Sequence, residues 1–162
     1  MIIGHSYVLW AARYAATSAC GSNLGLGTRA QIEWKGLQGM QWGQLCRVAA
    51  FGLHPPDVWI IHLGSNDLAR YGGKALILDV ICDLIWLRVL YPEMSILWST
   101  IIPWLMLRAA KLVQRNVNRE VCRAVCNGFG LVIGHREICT DRPEHFWHGG
   151  VHLSDRGFCC LS

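Results

Sequence analysis

The chain has 162 residues, 52% hydrophobic and only 16% charged, which is enough apolar material for one sizeable core and too little charge for intrinsic disorder. Its net charge of +4 is scattered rather than gathered on one face, so no specific nucleic-acid binding is expected. The region 75–107 is the most apolar, but Asp79, Asp83, Arg88, Glu93, Pro92 and Pro103 interrupt it, which excludes the run of about 18 uncharged apolar residues that a membrane span needs.

The elements follow one another as short apolar runs alternating with helical patterns. Met1–Ile3 reads as a first strand closed by Gly4, and the Ala-rich 7–16 as a helix. Thr28–Trp34 suggests a second strand and Met40–Phe51 a second helix. Val58–Leu63 (VWIIHL) is continuously apolar, as in a strand buried on both faces. Lys74–Leu90 is long enough for a helix, and Ile96–Ile102 forms another apolar run ended by Pro103. Leu107–Asn127 aligns Val113, Val117, Val121, Ala124 and Val125 on one helical face, with Gly128 as its stop. Lys111, Arg115, Arg119 and Arg123, broken by Glu120, read as the solvated face of that helix. Leu131–Ile133 is the last strand. Five strands alternating with four helices predict a single α/β domain over 1–162 built on a parallel sheet.

In such sheets ligands bind beyond the carboxyl ends of the strands, which turns the element order into a site map. Ser6 follows the first strand and opens the first helix, where backbone N–H groups and the helix dipole favour a developing negative charge; a plain helix N-cap is the competing reading. Gly64-Ser65-Asn66-Asp67 follows the third strand, where a tight turn can aim the Asn66 amide into the crevice or merely cap the next helix. His152, in Gly150-Val151-His152-Leu153-Ser154, can take a proton from Ser6 and return it to a leaving alcohol.

Taken together, these segments resemble an SGNH-type (GDSL-like) hydrolase over nearly the whole chain. Gly4-His5-Ser6-Tyr7 resembles the family's first block, with its nucleophilic Ser. Gly36-Leu37-Gln38-Gly39 resembles the second, which implies an oxyanion-hole N–H from Gly39, with Gly36 as the fallback. Gly64-Ser65-Asn66-Asp67 matches the G-x-N-D third block, and Gly150–Ser154 matches the fifth, which carries the His. The stretches IIGHSYVLWAA, GLQGMQWGQL and VNREVCR further resemble a vertebrate, transposon-associated SGNH-like group. The resemblance implies a three-layer α/β/α sandwich of flavodoxin-like type with a five-stranded parallel sheet in the order 2-1-3-4-5. It also implies hydrolysis of a small, acetyl-like ester without cofactor or metal: Ser6 attacks, His152 serves as base and then acid, and Ser6 N–H, Gly39 N–H and the Asn66 amide hold the oxyanion.

The sequence departs from the family in two places. His5 stands where the wider family has Asp. Gly149 stands where the family's D-x-x-H carries the carboxylate that orients the His, a loss that costs on the order of 10⁴ in turnover in a serine triad. Asp141, Glu144 and Asp155 are the candidate substitutes, and a catalytically degenerate domain serving as an interaction module is the alternative. The short tail after His152 further implies an incomplete closing helix, as in a truncated reading frame, baring apolar surface for a protein partner to cover.

The remaining chemistry-bearing residues point to no other activity. No G-x-G-x-x-G or P-loop follows the first strand, which disfavours nucleotide binding. His145-x-x-His148 lacks a partner pair for zinc, His54 and His135 lack a ligand spacing, and His62 reads as core. The eight cysteines, Cys160 among them, form no C-x-x-C pair and read as reduced, mostly buried thiols. With no secretory signal in view, a cytoplasmic location is the default. Trp34, Trp42, Trp59, Trp86, Trp98 and Trp104 are expected in the core, whereas Trp10 and Trp147 lie near the motifs and can wall an acyl- or ring-binding cleft.

Overall fold

The computed structural model describes residues 1–49, 55–68, 70, 72–105, 108–128 and 130–159. Five parallel strands, β1 (Ile2–Gly4), β2 (Trp34–Gly36), β3 (Val58–His62), β4 (Ser95–Ser99) and β5 (Gly130–Ile133), form one sheet in the order β2-β1-β3-β4-β5. The helices are α1 (Ser6–Thr17), α2 (Leu45–Ala49), α3 (Ser65–Leu68), α4 (Gly73–Leu90), α5 (Arg108–Gly128) and α6 (Asp155–Cys159), with 3-10 turns at Trp42–Gln44 and Pro143–His145. This is the three-layer α/β/α sandwich expected from the sequence. Among the described residues no helix is long and apolar enough to cross a membrane.

The register determines which side chains share a face. Trp59 and Ile61 of β3 lie beside Ile96 and Trp98 of β4, and all four are buried in the main core with Leu76, Val80, Leu84 and Leu87 of α4 and Val117, Val121 and Val125 of α5. Filling this layer with two tryptophans contributes about 1.5–3 kcal/mol for each large apolar side chain withdrawn from water. On the opposite face the row Ile2–Ile60–Leu97–Leu131 crosses four strands. The first three of these are only partly buried, and Leu131 is 66% exposed. One register step further on, the same face carries Gly4, His62 and Ser99, so polar groups occupy the carboxyl edge of the sheet.

Several elements differ from expectation for local reasons. The second strand is only Trp34–Gly36, because Asn23 claims the preceding segment: its amide donates to the carbonyls of Gly27 and Ala30, and its oxygen accepts from Ile32 N–H. The helix expected over 40–51 is a 3-10 turn at Trp42–Gln44 leading into α2, and its last two residues lie outside the described residues, as do His54 and Cys160. The strand expected to run to Ile102 ends at Ser99, since Asn118 and Gln114 of α5 take both backbone groups of Ile101. Cys20, Cys46, Cys82 and Cys126 are exposed rather than buried, and Trp86 is 52% exposed on the outer side of α4. Arg115, Arg119 and Arg123 form the solvated face expected of α5, with Arg119 and Arg123 both paired to Glu120, whereas Lys111 is partly buried and donates to the Thr140 hydroxyl.

Helix α1 approaches β2 so closely that a Cβ on Gly36 would lie 2.3 Å from Leu9 N, whereas one on Gly43 would meet nothing within 4 Å. Gly36→Ala is therefore expected to cost about 3 kcal/mol and Gly43→Ala less than about 1 kcal/mol. Urea unfolding midpoints of the two variants check this.

Candidate active site

The four motif segments meet at the carboxyl edge of the sheet. Gly4 ends β1, and His5 N-caps α1 by accepting the Tyr7 N–H at its Nδ1, 3.4 Å away. Ser6 is therefore the first helical residue and not the cap, and its hydroxyl makes no hydrogen bond among the described residues. It sits 92% buried at the positive end of a twelve-residue helix. The other ring nitrogen of His5 meets Ser65 Oγ at 3.1 Å, joining the first motif to the third.

The third motif in turn holds the second. Asn66 Nδ2 donates to Met40 O at 2.9 Å, and the Asp67 carboxylate accepts Trp42 N–H at 3.0 and 3.1 Å. These bonds fix the loop that presents Gly39, whose φ of +71° favours glycine. Among the described residues the Asn66 amide makes only the bond to Met40 O, and neither Ser6 N–H nor Gly39 N–H has a backbone acceptor. Burial pushes the Asp67 carboxyl above its ordinary value, against the Trp42 N–H that pulls it down. Gly36, the fallback for the backbone donor, is instead the point of contact with α1.

His152 rides on a tight reverse turn. Gly150 N–H bonds to Trp147 O at 2.7 Å, Trp147 N–H bonds to His152 O at 2.9 Å, and Phe146 bridges Leu153. Phe146 and Leu153 anchor this turn in a second, smaller core with Tyr7, Ile102 and Phe158. Tyr7 donates its phenolic hydroxyl to Val151 O, and its ring lies 6.4 Å from that of His152. The residue after Ser6 thus grips the residue before His152.

No carboxylate hydrogen-bonds to His152 among the described residues. Asp141 lies beside Lys111 and Thr140, accepting from the Thr140 hydroxyl at 3.5 Å, and the Glu144 side chain is exposed. Asp155 is the one of the three that shares a cleft with His152. Gly149 has open space around the position of a Cβ. Among the described residues no three His, Cys, Asp or Glu side chains come together as a metal-binding group.

Several participants were not singled out in the sequence. Besides Tyr7, Ser65 and Asp67, a buried polar chain runs from His62 Nδ1 to Ser99 Oγ (2.8 Å) and on to His135 Nε2 (2.7 Å). The His5 and His62 rings are 5.0 Å apart, and those of His62 and His135 are 5.7 Å apart. The available signal was the position of His62 and Ser99 at the ends of their strands, but only the register makes them neighbours.

No family model and no curated protein matches the chain. Solved structures do. A GDSL-like lipase from Bacteroides thetaiotaomicron is 14% identical with a TM-score of 0.74, over 99% of this chain and 82% of that one. A family 3 carbohydrate esterase from Clostridium thermocellum is 18% identical with a TM-score of 0.73, over 99% and 89%. The esterase domain of an ORF1 protein from a zebrafish retrotransposon is 18% identical with a TM-score of 0.50, over 99% and 91%. The fold of the chain is the one these GDSL and SGNH lipases and esterases share.

Burial lowers the pKa of His5 from 6.5 to about 3, with a smaller push from His152, and lowers His62 and His135 as well. Each resists protonation in the folded state more than it does in the unfolded chain. Their contribution is therefore fully present above about pH 6.5 and is lost as pH falls below it. Urea unfolding is expected to show stability level between pH 7.5 and 6.5 and then falling toward pH 4.5, by on the order of 1 kcal/mol per pH unit from His5, with His62 and His135 adding to the fall.

Proposed function

We propose that the chain is an SGNH-type serine esterase acting on small acyl esters. What carries this reading is the bonded circuit at the sheet edge. His5–Ser65, Asn66–Met40 and Tyr7–Val151 tie the segments of Ser6, Asn66, Gly39 and His152 to one another. Three donors with capacity to spare (Ser6 N–H, Gly39 N–H and the second Asn66 amide hydrogen) match what a tetrahedral oxyanion needs.

In this mechanism Ser6 Oγ attacks the ester carbonyl while its proton passes to His152. The carbonyl oxygen becomes an oxyanion held by the three donors. As the intermediate collapses, the C–O bond to the alcohol breaks, and His152 returns the proton to the departing oxygen. A water molecule, deprotonated by the same imidazole, then releases the acid from the acyl-Ser6 ester and restores the free serine. The choice of a short acyl group draws on neighbours in the fold, two of which are family 3 carbohydrate esterases and one an acetyl esterase with bound acetate. Without a carboxylate on His152, turnover is held well below that of a complete triad.

A second reading, a non-catalytic module that docks on a partner, draws on the half-covered row Ile2–Ile60–Leu97–Leu131. A fluorophosphonate probe separates the two, because only an activated Ser6 is labelled.

Ser6→Ala is expected to abolish both labelling and acetyl-ester hydrolysis, and His152→Ala to cut kcat by roughly 10³-fold or more. Gly149→Asp is expected to raise kcat by roughly 10²–10⁴-fold, since the carboxylate has room. Folded protein that is unlabelled and inactive both as it stands and as Gly149→Asp sinks the esterase reading.

A further inference from the structure

A cleft of about 460 Å³ opens beside His152, between α1 and the Trp147–His152 turn, with α6 at its end. Its size is ordinary for a small-molecule site. His152 lines it, whereas Ser6, Gly39 and Asn66 do not. That asymmetry has a chemical meaning under the proposed mechanism. The carbonyl oxygen must face the donors, while the oxygen of the departing alcohol must face the imidazole that protonates it. A cavity that the imidazole reaches and the oxyanion donors do not is on the alcohol side of the scissile bond.

The walls say what kind of alcohol. Trp10 and Trp147 keep 43% and 57% of their surface exposed, in a molecule that buries Trp42, Trp59 and Trp98 almost completely. Trp10 and Trp147 both line this cleft, whereas the exposed Trp86 lies on the outer side of α4. Trp10 belongs to the stripe Trp10, Arg13, Tyr14 and Thr17, one face of α1 at helical spacing, and Trp147 is brought alongside by the turn that pairs it with His152. The aromatic walls are braced: the Arg13 guanidinium lies 4.7 Å from the Trp10 ring centre, and Tyr14 stacks on Phe158 at 5.9 Å and 20°. Among the described residues lining it, charge is confined to Arg13 and Asp155, which are of opposite sign and both exposed. Such a slot, walled by two indoles, rewards a flat, uncharged ring that stacks on them.

We propose that this cleft is the alcohol subsite and that it selects esters of aryl-bearing alcohols. The proposal rests on the esterase reading above and names the substrate class of the same site. The test compares benzyl acetate with methyl acetate, whose alcohols are of similar acidity, so that a difference reports binding of the ring and not the ease of departure. The chain is expected to favour benzyl acetate by roughly 10-fold in kcat/KM, and Trp147→Ala and Trp10→Ala are each expected to bring that ratio close to one. Equal rates on the two esters in the unmodified chain overturn the proposal. So do variants that leave the ratio intact, or an acetylated sugar preferred over both esters.

The second measurement is independent of turnover. Benzyl alcohol added to Ser6→Ala is expected to change the tryptophan fluorescence saturably, and Ser6→Ala/Trp147→Ala to lose that response. Saturable binding in a chain without hydrolysis supports the cleft and defeats only the esterase reading, whereas hydrolysis without ring preference or binding defeats only the cleft.

Discussion

A single neutral imidazole links the parts on which the candidate site depends. His5 occupies the turn between β1 and α1, caps the helix through one nitrogen and reaches Ser65 through the other. Because it is both cap and cross-link, it fixes the direction in which α1 leaves the sheet and the position of the third motif against the first. It can do both only while uncharged, since accepting the Tyr7 N–H needs a free lone pair on Nδ1. Its burial, with a smaller push from His152, enforces that state. An aspartate in its place would be an acceptor with no proton to offer Ser65. The histidine is therefore a different solution to the same local problem and leaves the serine beside it unobstructed.

From there the site is assembled by contacts that each hold a backbone segment. Asn66 and Asp67 grip Met40 and Trp42, Tyr7 grips Val151, and Asn118 and Gln114 grip Ile101. A sheet edge built from loops needs such bonds, because loop backbone left unpaired in a buried position costs as much as a lost hydrogen bond. The tertiary wrapping also explains the uneven layers. The face under α4 and α5 is dense with Trp59, Trp98 and valines, while the face under α1 is covered chiefly near the motifs and thins toward β5.

The Trp147–His152 turn has two consequences for chemistry. Its core anchors, Phe146 and Leu153, and the Tyr7 bond hold the imidazole's backbone without any carboxylate. They do not set the tautomer of the ring or stabilise its charged form, as a hydrogen-bonded carboxylate does in a serine triad. The same turn carries the Trp147 indole out beside the imidazole, so that both line one cleft.

The amino-acid sequence by itself determined the alternation of strands and helices, the parallel sheet and the motif segments, because apolar runs and helical periodicity are local properties of the chain. It did not determine where β2 begins, since Asn23 spends its amide on a loop up to nine residues away. Nor did it show that His5 rather than Ser6 caps α1, a choice set by backbone angles at one turn. His62, Ser99 and His135 are far apart in the chain, and only the register of β3 against β4 brings the first two within 2.8 Å. The exposure of Trp10 and Trp147, against the burial of Trp42, Trp59 and Trp98, was likewise decided by the fold. An indole's preference for the interior is the same at every position, and only the packing of α1 against α6 and the return of the Trp147–His152 turn leave two of them facing a cleft.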